Sequence, residues 1–232
     1  GENIQYIPFS QFCMDEYSRQ IPAPNRFPSS ANGAGFKPLA DYIHSLGLKF
    51  GIHIMRGIPR IAAHNHLPIK THDGTKITAD MIANPYSLSR WNPDMYGVDA
   101  SKPYAQDYYD SIFELYAEWG VDFVKIDDIC NTNMYPANPY SAEKEIEMIA
   151  AAIEKCGRGI VLSLSPGPAV IEKAHHLKRF ANMWRITDDF WDDWKLLKGM
   201  FERCEVWQEH VGNGNWPDCD MLPLNVLGYG WG

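Results

Sequence analysis

Five times along this chain a stretch with helical spacing is followed, after a glycine or a short break, by a short apolar run. Gly35–Leu46 places Phe36, Leu39, Ala40, Ile43 and Leu46 on one helical stripe, Gly47 closes it, and Leu48–His53 reads as a strand. Pro103–Trp119 carries Tyr108, Ile112, Leu115, Tyr116 and Trp119 on its stripe, and past Gly120 the strand Val121–Ile126 begins. Ser141–Cys156 opens on an N-cap serine with Glu143, Glu145 and Glu147 early, which suits the helix dipole, and leads across Gly157–Gly159 into Ile160–Leu164. Ala169–Phe180 precedes Met183–Ile186, and Trp194–His210 precedes Asp218–Leu224. Helices that feed strands through such short links require parallel pairing and right-handed crossovers, so the fold class is α/β. A stub at Ile4–Ile7 reads as a possible further strand. Met55 to about Lys102, rich in Pro, Asn, His and Gly, reads as a long irregular connection. Connections of that length are functional or carry small elements of their own.

Two of the strands end in acid. Val121-Asp-Phe-Val-Lys-Ile-Asp-Asp-Ile129 and Met183-Trp-Arg-Ile-Thr-Asp-Asp-Phe190 each pass from apolar residues to a pair of aspartates at the C-terminal edge. Buried acids are costly unless paired or used, and in a barrel of alternating strands and helices the C-terminal strand ends are where chemistry is done. Two carboxylates delivered there are the equipment of a glycoside hydrolase, one to attack and one to give and take a proton. On the residues alone, a buried salt bridge between Lys125 and Asp127 or Asp128 is the competing structural explanation.

With 232 residues the chain is most simply one domain, 1–232, with no linker, low-complexity segment or repeat dividing it. Eight Trp, twelve Tyr and ten Phe are enough both to fill a core and to line a carbohydrate site. The formal charge of −8 argues against nucleic acid or an anionic membrane as partner, and no apolar run is long enough to cross a bilayer. Cys13, Cys130, Cys156, Cys204 and Cys219 are odd in number and form no C-x-x-C pair, which argues against a zinc or redox motif and leaves at least one thiol free. That favours a reducing compartment. The opening Gly-Glu-Asn-Ile-Gln-Tyr carries no signal pattern and is not a natural start, so cellular location stays open. His64-Asn-His66 could be a metal pair but has no acid cluster beside it, and His175-His176 reads as helix surface; no metal or cofactor is expected.

Four segments in order resemble glycoside hydrolase family 27, the α-galactosidase and α-N-acetylgalactosaminidase family. Arg26-Phe-Pro with Leu39-Ala-Asp-Tyr-Ile-His-Ser-Leu-Gly-Leu-Lys-Phe-Gly-Ile-His53 resembles the approach to the family's third barrel strand. Trp119-Gly-Val-Asp-Phe-Val-Lys-Ile-Asp-Asp128 resembles the fourth, Trp184-Arg-Ile-Thr-Asp-Asp-Phe-Trp-Asp-Asp-Trp194 the sixth, and Gly214-Asn-Trp-Pro-Asp-Cys-Asp-Met-Leu222 the seventh. The resemblance implies a (β/α)8 TIM barrel, here incomplete, with about strands 3 to 7 and a stub of strand 2. The family's C-terminal β-domain and the second-strand acids that grip the sugar are expected to be missing.

The implied activity is retaining release of terminal α-linked galactose, with Asp127 as nucleophile and Asp189 as acid/base. Lys125 would share Asp127's side of the strand and favour its ionised form. Asp188 and Asp192 would help Asp189 hold its proton. Arg185 and Asp220 would bind sugar hydroxyls, His53 ends a strand at the same face, and Trp91 could be a stacking platform. Ser165, followed by Ala169, stands where relatives accepting N-acetylgalactosamine keep small residues, so α-N-acetylgalactosaminidase is the alternative within the class. Outside it stand a non-catalytic sugar-binding remnant, a Lys125 Schiff-base lyase and a metal-dependent hydrolase. The expected partner is a carbohydrate, and the oligomeric state is open.

Overall fold

The computed structural model describes residues 12–88, 92–130, 140, 142–191 and 193–221. The stub at Ile4–Ile7, the cap at Ser141, and Trp91 and Asp192 lie outside the described residues. The chain divides into two compact units, an N-terminal one of Tyr6–Val124 and Lys144–Ile160, and a C-terminal one that includes Lys125–Glu143 and Val161–Gly232.

In the N-terminal unit, α1 (Lys37–Ser45) starts with a proline in its first turn, where the missing N–H costs nothing. The Phe36 ring that precedes it sits 5.0 Å from Phe27 and 5.6 Å from both Phe50 and Trp119, centroid to centroid. Strand β1 spans Gly51–Met55, later than the expected Leu48. Leu48 is exposed and Lys49 instead reaches toward Asp122 at 3.7 Å, so the chain joins the sheet only at Gly51.

The stretch after Met55 is not irregular. It holds β2 (Ile58–Pro59), α2 (Arg60–His64), α3 (Ala79–Ile82), β3 (Ala83–Leu88) and β4 (Met95–Val98), with the strands forming an antiparallel sheet in the order β2-β4-β3. Pro85 lies within β3, which is tolerable because β3 is an edge.

Helix α4 (Ala105–Trp119) buries Tyr108, Tyr109, Ile112, Phe113, Tyr116 and Trp119 and ends on Gly120 at φ 82°, the left-handed geometry glycine adopts without penalty. Asp122 follows at once. Its N–H donates to the Phe50 carbonyl (2.7 Å), and its carboxylate accepts from the Phe50 N–H (2.9 Å), Arg158 (2.7 Å) and His44 (2.7 Å). This knot fixes the entry to β5 (Phe123–Ile129), the strand along which the chain passes from one unit into the other. Helix α5 (Glu143–Lys155) contributes Glu145, 4% exposed, which accepts from Arg56 (3.0 Å) and from the Tyr109 hydroxyl.

In the C-terminal unit, β6 (Val161–Pro166), β7 (Met183–Arg185) and β8 (Trp216–Asp218) follow β5 in that spatial order, with β6, β7 and β8 parallel. α6 (Ala174–Phe180) links β6 to β7, and α7 (Trp194–Trp207) links β7 to β8. Leu162, Leu164, Trp184, Ile186, Leu177 and Trp207 form the core, with the Trp184 and Trp207 rings 6.0 Å apart. The last strand is three residues long rather than the expected Asp218–Leu224. Asp220 at φ 71° cannot extend a pleated strand, and 222–224 lie outside the described residues.

Candidate active site

Every candidate acid belongs to the C-terminal unit. Along β5, residues 123, 125 and 127 are partly open while 124, 126 and 128 are buried. The period-two alternation therefore gives Lys125 and Asp127 the same partly open face and sends Asp128, 1% exposed, into the packed one. That separates the two neighbouring aspartates on physical grounds: the half-open carboxylate can meet a ligand. Asp127 also accepts the N–H of Asp128 (2.8 Å), and Asp128 (φ 60°) and Cys130 (φ 58°) both take left-handed backbone as the strand ends. Non-glycine residues held there carry a conformational cost that clusters at functional sites.

Strand β7 delivers Arg185, whose side chain is 2% exposed. One guanidinium nitrogen donates to Asp220 (2.8 Å), the other to Asp189 (3.2 Å). The two residues expected to grip sugar hydroxyls thus grip each other, and Arg185 also reaches the expected acid/base. Its third nitrogen, Nε, is buried without a partner among the described residues. Asp220 is held from three sides: its second carboxylate oxygen accepts the Phe190 N–H (2.7 Å), its own N–H donates to Asp218 (3.0 Å), and Arg185 takes the first oxygen. The Phe190 contact ties the segment carrying Asp188 and Asp189 to the exit of β8. Asp188 and Asp189 are both exposed; Asp188 accepts the Asp189 N–H (2.9 Å), while Asp189 faces Arg185.

Ser165, 2% exposed, sits at the end of β6. Just beyond it Gly167 (φ 71°) crosses the Arg185 carbonyl so closely that a Cβ there would come within 2.4 Å of that oxygen. The same carbonyl accepts the Ala169 N–H (2.8 Å), so the Ser-Pro-Gly-Pro-Ala run is shaped to pass over β7's end.

His53 belongs to the N-terminal unit, where it lines an apolar cavity of about 660 Å³ with Phe12, Ile21, Phe36, Phe50 and Trp119. None of the candidate acids lines that cavity. Trp91 lies outside the described residues. His66 pairs with Asp80 (3.0 Å), and His175 is exposed. His176, expected at the surface, is instead partly covered: it meets the Tyr140 hydroxyl (2.8 Å) and packs on Phe180 (4.6 Å). Sequence reasoning did not anticipate the Arg185 bridge or the Phe190–Asp220 contact. The i,i+4 spacing of Arg185 and Asp189 was a legible hint for the first; nothing local signals the second.

Comparison with known proteins gives the family. The family model described as alpha galactosidase A matches residues 94–232, more than half of the chain. The chain belongs to that family. It is the glycoside hydrolase family 27 grouping to which the four motifs pointed, and the fold is accordingly an incomplete (β/α)8 barrel.

A family 27 β-L-arabinopyranosidase from Geobacillus stearothermophilus is 60% identical, with a TM-score of 0.88 over 94% of this chain and 49% of that one. Alpha-galactosidase 3 of Arabidopsis thaliana is 29% identical over 93% of this chain and 38% of its own length. The alpha-N-acetylgalactosaminidase of Homo sapiens is 30% identical over 92% of this chain and 43% of its own. The chain therefore spans less than half the length of each of these relatives.

Proposed function

We propose that this chain carries the nucleophile and the acid/base of a retaining glycosidase for galacto-configured pyranosides. Asp127 attacks the anomeric carbon while Asp189 gives its proton to the departing glycosidic oxygen. Water, deprotonated by Asp189, then displaces Asp127 from the glycosyl-enzyme, and two inversions leave the configuration retained. The observation that carries this reading is the placement of the two acids. Asp127 lies near the C-terminal end of β5 on its partly open face, and Asp189 follows the end of β7, two strands along the sheet. Adjacent strands lie about 4.8 Å apart, so the exits of β5 and β7 are roughly 10 Å apart, and side chains leaning toward each other can close to the ~5–5.5 Å of a retaining pair. Arg185 and Asp220 supply the fixed polar groups beside them.

Terminal α-galactosides are the first substrate class. A second reading rests on the 60% identity to a β-L-arabinopyranosidase. β-L-arabinopyranose is the α-galactopyranose ring without its exocyclic hydroxymethyl, so one anomeric chemistry serves both sugars. Ser165 and Ala169 support an N-acetylgalactosamine reading less, since both are almost fully buried.

Nitrophenyl α-galactopyranoside, β-L-arabinopyranoside and α-N-acetylgalactosaminide, offered in parallel, separate the three. Asp127→Ala should lower kcat by about a thousandfold or more on the preferred substrate, with azide restoring turnover as a glycosyl azide of inverted configuration. Sugar binding with no turnover of any of the three would instead mark a non-catalytic remnant.

A further inference from the structure

Cys204 and Cys219 are fifteen positions apart, one in the last part of α7 and one just past β8, yet their sulfurs lie 2.9 Å from each other. Both are thiols. A disulfide needs about 2.05 Å between sulfurs, so a small shift suffices to join them. Their surroundings differ. Cys204 is exposed, whereas Cys219 is partly covered and built into the candidate active site. Its carbonyl accepts the Thr187 hydroxyl (3.2 Å), and the next residue, Asp220, holds Arg185 and the Phe190 N–H.

We infer that Cys204 and Cys219 form a redox-closable pair, and that closure fastens the segment presenting Asp220 to α7. The oxidant is a small-molecule disulfide such as oxidised glutathione. The Cys204 thiolate attacks one of its sulfurs, forming a mixed disulfide and expelling one glutathione thiolate. Cys219 then attacks the Cys204 sulfur and expels the second. Two cysteine thiols give up two protons and two electrons, and the oxidant leaves as two glutathione thiols. The order follows from access, and from burial and the hydrogen bond with Cys204 pushing the Cys219 thiol up to about 12, which makes it the poorer first nucleophile.

The test compares protein equilibrated with oxidised glutathione and with dithiothreitol, each alkylated, digested and mapped by mass. The expected result is a peptide linking Cys204 to Cys219 in the oxidised sample only. It should come with a Tm higher by roughly 5–10 °C, the gain anticipated for a loop of this length, and with slower deuterium exchange at the amides of residues 218–221. Cys204→Ser, a change at an exposed position, should keep the reduced wild-type Tm and respond to neither reagent. Glutathione persisting on Cys204, or Cys219 joined to another cysteine, would overturn the pair. A linked peptide with unchanged exchange at 218–221 would overturn the fastening.

Discussion

Arg185 sits almost sealed among groups of the opposite charge, and its energetics follow from that burial. Its side chain is 2% exposed, and that of Asp220, 2.8 Å away, is 5%. Removing one member of a buried ion pair leaves the other charged and desolvated, at a cost of about 3–5 kcal/mol. Arg185→Met should therefore lower the unfolding free energy measured in urea by an amount of that order; an unchanged value would mean that water already reaches Asp220. Replacing both partners with apolar residues should restore much of the loss, because the surviving charge is then gone. Asp127, Arg185, Asp189 and Asp220 could be picked out from the sequence because the motifs that carry them resemble the family's. What the sequence does not carry is which of them hold each other, since Arg185 ends β7 and Asp220 lies in the segment past β8.

At the scale of elements, α7 shows how a local signal fixes a boundary. Asp193 is its N-cap, with one carboxylate oxygen accepting the N–H groups of Lys195 (2.8 Å) and Leu196 (3.0 Å). Asp193→Ala should cost about 1 kcal/mol, seen as a lower Tm, whereas Asp193→Ser should cost little. The helices of the repeating cycle were legible to within a few residues because their apolar stripes and terminal glycines are strong signals. The antiparallel sheet between Met55 and Lys102 was not. Its strands are short, one contains Pro85, and their pairing is set by contacts distant in sequence, which no period in the residues encodes.

For the molecule as a whole, the Asp122 knot sets an acid limit. Burial opposes ionisation of this carboxyl, but the Phe50 N–H, His44 and Arg158 outweigh it and hold its pKa near 2, below the usual value. A depressed carboxylate contributes stability that is complete above the unfolded-chain value near 3.9 and is lost as pH falls through about 2. The contribution is about 2–3 kcal/mol. Wild type and Asp122→Asn, compared by denaturant unfolding at pH 5, 4, 3 and 2, should converge as pH drops; a constant gap would place the acid sensitivity elsewhere. Asp122 could not be singled out from sequence, since its partners come from α1, the segment before β1 and the loop after α5.

The same passage of chain has another consequence. Because Lys125–Glu143 falls in one unit and Lys144–Ile160 in the other, neither unit is a contiguous stretch of the gene. Splitting the coding region anywhere between codons 125 and 160 would damage both units. During synthesis the candidate nucleophile Asp127 is added before Lys144–Ile160, the stretch that completes the N-terminal unit.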